Sequence, residues 1–167
     1  PKRPPILPHA SGATCLSNLS VRTGYPMTDS RDMLDLPADM SAVPLALQWI
    51  EGLAGRLDWP ARIAFGLALS LDEALTNVVS YAFTPPGPGT PAITVSCQAD
   101  DTCVRVELRD NGRPYDPTAD EPPPLVTCLD DARVGGHGMR LMRHYLDGLD
   151  YRRQDGWNCL TLVMKKP

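Results

Sequence analysis

The chain has 167 residues, 43% of them apolar and 22% charged, with a net charge of −4 at pH 7. That length supports one domain with a real core, and the acidic balance excludes the basic footprint of a nucleic-acid-binding surface. A protein or a nucleotide–metal complex is the kind of partner this composition allows. The five cysteines (Cys15, Cys97, Cys103, Cys128 and Cys159) form no CxxC pair and are odd in number. This argues against a disulfide framework or a zinc site and for reduced thiols. No apolar run approaches the roughly 18 residues of a membrane span, and no signal-peptide pattern is visible. The cytoplasm is therefore the expected compartment, with no membrane partner.

Residues 1–26 are rich in Pro, Ser, Gly and Thr without a sustained period. They read as an arm or extension (1–27) ahead of a domain at 28–167, with Met27 a plausible alternative start. Asp32-Met-Leu-Asp-Leu36, bounded by Pro37, predicts a short strand. Asp39 or Ser41 can cap a helix near 42–57, with Pro44 tolerated in its first turn. Leu45, Trp49, Leu53 and Leu57 recur along it every four residues. Asp58-Trp59-Pro60 breaks this helix and starts a second, about 60–83, whose core stripe is Ile63, Leu67, Leu71, Leu75 and Val78. Residues 84–91, TPPGPGTP, predict a loop.

Two alternating runs follow. Ile93, Val95 and Cys97 share one face of the first; Val104, Val106 and Leu108 share one face of the second. Asp100-Asp101 between them predicts a hairpin with one buried and one wet face. Residues 111–137 carry many prolines and glycines, and a loop this long in a compact domain is usually functional. A helix near 138–147 precedes a last hairpin, 149–153 and 158–166, around Asp155-Gly156. The order predicts an α+β two-layer sandwich: helices on one face of a mixed, mostly antiparallel sheet.

Three constellations could carry chemistry. Glu73 and Asn77 are four apart and stack on one helical face. An Asn oxygen can ligate Mg²⁺ and a Glu can accept a hydroxyl proton; alternatively, Asp72, Glu73 and Asn77 decorate a solvated helix face. Asp110 ends a strand, where its carboxylate could accept from an exocyclic amine such as adenine N6, worth roughly 1.5–3 kcal/mol. Gly112 would let backbone approach a planar ring; alternatively, Asp110-Asn-Gly is a turn capping itself. Gly135, Gly136 and Gly138 precede a helix and suit phosphate, or form a flexible linker. His137 and His144 have no third ligand spaced to join them in a metal site.

Taken in order, Glu-x-x-x-Asn, Asp-x-Gly and Gly-Gly-x-Gly resemble the N, G1 and G2 boxes of the GHKL (Bergerat-fold) ATPases. The form Asp110-Asn-Gly-Arg-Pro-Tyr-Asp-Pro117 is similar to the first glycine box of the anti-sigma-factor serine/threonine kinases of the RsbW and SpoIIAB type. The resemblance covers about 31–166 and includes the closing hairpin. It implies Glu73 as catalytic base, with Asp72 beside it as the competing carboxylate, and Asn77 as Mg²⁺ ligand. It further implies Asp110 as acceptor for the adenine amine with Gly112 beside the base, Gly135, Gly136 and Gly138 along the phosphates, and Thr161 at the adenine end. Arg133 and Arg140 flank the glycines, within possible reach of the γ-phosphate, or are solvated basic residues. The implied function is an ATP- and Mg²⁺-dependent protein serine/threonine kinase and anti-sigma factor in a partner-switching pathway. Its implied partners are an STAS-type anti-sigma-factor antagonist, a sigma factor or other sequestered target, and a second copy in a homodimer. Two alternatives stand beside it: a non-catalytic ATP-sensing module that binds partners, and a histidine-kinase catalytic fragment.

Overall fold

A computed structural model describes residues 31–85, 87, 89–119 and 137–167. In chain order the elements are β1 (Asp32–Leu36), α1 (Ala42–Arg56), α2 (Ala61–Asn77) with a π-helical turn (Val78–Ala82), β2 (Ile93–Ala99), β3 (Cys103–Asp110), α3 (His137–Tyr145), β4 (Gly148–Gln154) and β5 (Trp157–Lys165). The five strands form one sheet in the order β1-β2-β3-β5-β4. Every neighbouring pair is antiparallel, so the parallel component expected of the sheet is absent among the described strands. The reason is topological. β3 and β4, joined across α3, do run in the same direction, but β5 returns between them and pairs with both.

Local chemistry sets the boundaries. Asp39, not Ser41, organises the start of α1: its carboxylate accepts from the Ser41 N–H at 2.8 Å and from the Ser41 hydroxyl. These bonds hold the Asp39 carboxyl below its ordinary range. Between β2 and β3 the Asp100 carboxylate collects the N–H groups of Thr102 and Cys103 and the Thr102 hydroxyl. It is thereby held well below the usual carboxylate pKa. Asp155 and Gly156 both adopt positive φ, 51° and 84°, as a two-residue turn needs to match the twist of β4 and β5.

The helices cover one face of the sheet. Their buried side chains (Ile50, Ile63, Leu67, Leu71 and Leu75 among them) meet Ile93, Val95, Val106, Leu108, Leu162 and Met164. Each such side chain contributes roughly 1.5–3 kcal/mol when fully buried. The stripe expected on α1 is corrected: of Leu45, Trp49, Leu53 and Leu57, only Leu53 is buried. A strict four-residue step advances about 40° past a full turn each time and walks off the core. The buried face instead follows mixed three- and four-residue steps: Val43, Ala46, Ile50, Leu53. On α2 the four-residue stripe Ile63, Leu67, Leu71, Leu75 is buried throughout, because that helix packs against α1, α3 and the sheet together.

Ala61–Ala82 is long and apolar enough to cross a membrane by length and composition, although Arg62, Ser70, Asp72, Glu73, Thr76 and Asn77 keep it from being a continuous apolar run. Here the apolar content serves the core of the two-layer fold.

Candidate functional site

The open end of the α/β interface holds a cavity of about 550 Å³, within the range of small-molecule sites. Its walls come from α2 and its π turn, the end of β3 and the loop after it, the start of α3, and the β4–β5 hairpin.

α2 supplies Glu73 and Asn77, one turn apart, both half-buried and both lining the cavity. Asp72 is not part of the lining, so Glu73 is the carboxylate on the cavity side. Among the described residues no hydrogen bond holds either the Glu73 carboxylate or the Asn77 amide. Both polar tips are thus open to a ligand, and an amide oxygen beside a carboxylate is a donor set that suits a hard cation. Gly138, in the first turn of α3, lies against Glu73. A Cβ there would meet the Glu73 carboxylate, with its Cδ 3.0 Å away. Glycine at 138 therefore leaves the space in which the Glu73 carboxylate sits.

Beyond Asn77 the helical ladder widens into the π turn, an irregularity that recurs at functional sites. It turns Tyr81 (66% exposed) and Ala82 toward the cavity. The Ala82 carbonyl accepts the Arg113 N–H at 2.8 Å. Gly112 passes so close beneath that an added Cβ would lie 2.6 Å from the Ala82 carbonyl oxygen. The close approach that demands glycine at 112 is thus to the π turn, and Gly112 itself does not line the cavity. The sequence reading placed it beside the base; the structure makes it the seam between α2 and the loop after β3.

Asp110 lies at the far side of the same cavity, 4% exposed, on the helix-facing side of β3. Its cross-strand partner is Asn158. Oδ1 accepts from Asn158 Nδ2 at 2.8 Å and from the Gly112 N–H at 2.9 Å, while Oδ2 takes no hydrogen bond among the described residues. Burial pushes the Asp110 carboxyl above its ordinary pKa, and the donors from Asn158 and Gly112 and the charge of Arg153 oppose that shift. The result is a desolvated carboxylate with one oxygen anchored and the other available to a donor.

Thr161 requires a correction. It pairs with Glu107 across β3–β5, on the face away from the helices, and does not line the cavity. Side chains alternate along a strand, so the inward positions of β5 are Asn158, Leu160, Leu162 and Met164. The polar residue of β5 beside Asp110 in the cavity wall is Asn158, which sequence reasoning missed. A detectable signal existed: an Asn at an inward position of an otherwise apolar alternation. Tyr151, Met139 and Met142 also line the cavity unanticipated. Gly135, Gly136 and Arg133 lie outside the described residues. Arg140 falls on α3 and is not part of the lining, and His144 packs edge-on against Tyr145, ring centroids 4.9 Å apart.

This fold and this order of side chains define an ATPase-like nucleotide domain. The family model for the histidine kinase-like ATPase domain matches residues 36–164, and the chain belongs to that family. Among curated relatives, the serine/threonine-protein kinase BtrW of Bordetella bronchiseptica is 47% identical over 137 residues, covering 82% of this chain and 95% of BtrW. The serine-protein kinase RsbW of Listeria innocua is 28% identical over 137 residues, covering 80% of this chain and 84% of that one. A crystal structure of the RsbU and RsbW domains of a Mycobacterium tuberculosis protein superposes with a TM-score of 0.57 at 13% identity, over 83% of this chain. This chain spans 33% of that one, and the likeness is one of fold.

Proposed function

We propose that this chain is an ATP- and Mg²⁺-dependent protein serine/threonine kinase of a partner-switching pathway. In this reading the unit at 28–167 binds ATP, acts as an anti-sigma factor in the cytoplasm, and works as a homodimer. It phosphorylates a serine or threonine of an STAS-type antagonist and sequesters a sigma factor when the antagonist is absent. The observation that carries the catalytic part is the joining of Glu73, Asn77 and Asp110 on the walls of one cavity, in a chain 47% identical to a protein kinase.

Each residue then has a task. The Asp110 carboxylate accepts from the adenine amine, and the apolar side chains Leu108, Met142 and Leu160 receive the base. The Asn77 amide oxygen is the protein ligand for Mg²⁺, which neutralises phosphate charge when bound. Gly138 offers its backbone N–H to the phosphates in the first turn of α3, a role the family resemblance extends to Gly135 and Gly136, which lie outside the described residues. Glu73 accepts the proton of the incoming hydroxyl as its oxygen bonds to the γ-phosphorus and the bond to the β-phosphate breaks, releasing ADP.

Incubation with Mg-ATP and the antagonist, followed by mass spectrometry of the antagonist, tests this. Stoichiometric phosphorylation on Ser or Thr is expected. No transfer from an intact, ATP-binding protein to a folded antagonist contradicts it, and leaves ATP-sensing without transfer as the reading.

A further inference from the structure

Behind the proposed base-binding carboxylate lies a polar network in which every atom of one amide is committed. Asn158 is 5% exposed. Its Nδ2 donates to Asp110 Oδ1 and to the Arg113 carbonyl, each at 2.8 Å. Its Oδ1 accepts from the Tyr151 hydroxyl at 2.8 Å and from Arg153 NH1 at 2.7 Å. Two donors and two lone pairs make up the whole capacity of a carboxamide. Arg153 NH1 also donates to the Gly112 carbonyl at 3.1 Å, which ties the β4–β5 hairpin to the loop after β3.

The network has a polarity fixed from both sides: Arg153 can only donate to Asn158, and the Asp110 carboxylate and the Arg113 carbonyl can only accept from it. A tyrosine hydroxyl can reverse its role; a guanidinium can only donate. Turning the Asn158 amide over would point its NH₂ at the Arg153 guanidinium and its carbonyl at the Arg113 carbonyl and the Asp110 carboxylate. Donor would face donor and acceptor would face acceptor on both sides. With the amide fixed, its NH₂ is held on Asp110 Oδ1 beside the Gly112 N–H, which favours the ionised, acceptor form of the carboxyl and leaves Oδ2 without a hydrogen bond among the described residues.

We infer that Tyr151 and Arg153 are positioning residues that, by locking the Asn158 amide, set the cavity to accept a purine bearing an exocyclic amine at this point and to reject one bearing a carbonyl there. This rests on the proposed ATP site and adds to it the origin of base selectivity. An adenine amine meets a free carboxylate oxygen; a guanine carbonyl meets the same oxygen with like polarity. Selectivity of this kind rises steeply when a mismatched base leaves buried polar groups unpaired.

The test compares ATP and GTP binding by calorimetry for the wild type and for Tyr151→Phe/Arg153→Met, which removes both donors to Asn158 Oδ1. The ATP-over-GTP affinity ratio is expected to fall about tenfold, the scale of one mis-set buried hydrogen bond. Tyr151→Phe/Arg153→Lys keeps a donor-only cation at 153 and is expected to recover most of the ratio. A general loosening of the fold moves both affinities together and leaves the ratio in place. Should the double variant fail to fold, Arg153→Met alone, at an exposed position, is expected to lower the ratio by a smaller factor. A wild type that prefers ATP, with variants that keep its ratio, overturns the lock and spares the ATP site. A wild type that binds neither nucleotide overturns both.

Discussion

Replacing Asp110 by Asn changes almost nothing in shape and one thing in chemistry. The carboxamide oxygen can keep the place of Oδ1, still accepting from Asn158 Nδ2 at 2.8 Å and from the Gly112 N–H at 2.9 Å. The amide nitrogen then takes the place of Oδ2 and turns a donor toward the cavity. The charge-assisted bond proposed to the adenine amine is lost and two donors face each other. A bond to a charged group contributes about 1.5–3 kcal/mol, and each 1.4 kcal/mol is tenfold in affinity. ATP binding is therefore expected to weaken by roughly 10- to 150-fold. The same substitution removes a desolvated charge, so the unfolding midpoint is expected to hold or rise. Calorimetric titration with ATP, paired with thermal unfolding of the free protein, measures both. Unchanged ATP affinity in Asp110→Asn refutes the adenine role of Asp110; a joint loss of affinity and of folding assigns Asp110 to the fold instead.

Further outcomes follow from the same contacts. Gly112→Ala drives a Cβ into the Ala82 carbonyl; overpacking of this kind costs about 1–3 kcal/mol, to be read as a lower unfolding free energy in denaturant. Gly138→Ala pushes on the Glu73 carboxylate, so phosphate transfer is expected to slow by up to roughly 100-fold, the cost of a small misplacement of a reacting group, while the melting temperature changes little. Acidification acts on Asp110 with opposite signs for binding and stability, because burial raises its carboxyl in the folded chain above its ordinary value. As pH falls through that raised value the acceptor oxygen is protonated, and the ATP affinity of the wild type is expected to approach that of Asp110→Asn before ordinary carboxylates titrate. The folded state holds that proton more tightly than the unfolded chain. Wild-type stability relative to Asp110→Asn is therefore expected to be highest below the unfolded pKa and to decline as pH rises through the folded one.

Much of this architecture is legible in the residues, and the exceptions have physical causes. The alternation of Val104, Val106 and Leu108 carries Asp110 to the helix-facing side by parity alone. The four-residue spacing of Glu73 and Asn77 puts both on one wall of the cavity. Thr161 fails for the same parity: an odd position in β5 faces the other way, and no motif overrides a period of two. The inward parity of Asn158 is visible in the alternation of β5, but its pairing with Asp110 comes from cross-strand register, which no local pattern encodes. The contact that demands glycine at 112 was not legible because the π turn that presses on it is 30 residues earlier in the chain. The mostly antiparallel sheet was legible in the two alternating hairpins; the parallel component fails because tertiary pairing inserts β5 between β3 and β4, which a helix between two strands does not reveal.

Glu73 supports the most direct test of the proposed kinase. The measurement is single-turnover transfer of γ-phosphate from Mg-ATP to the STAS-type antagonist by wild type and Glu73→Ala, with ATP affinity determined on the same preparations. Transfer should fall by about 100-fold or more on loss of a general base, with ATP affinity within about threefold of wild type, since the adenine end of the cavity is untouched. A Glu73→Ala protein that transfers phosphate at the wild-type rate contradicts the assigned mechanism, and a wild type that binds ATP but transfers none contradicts the kinase itself.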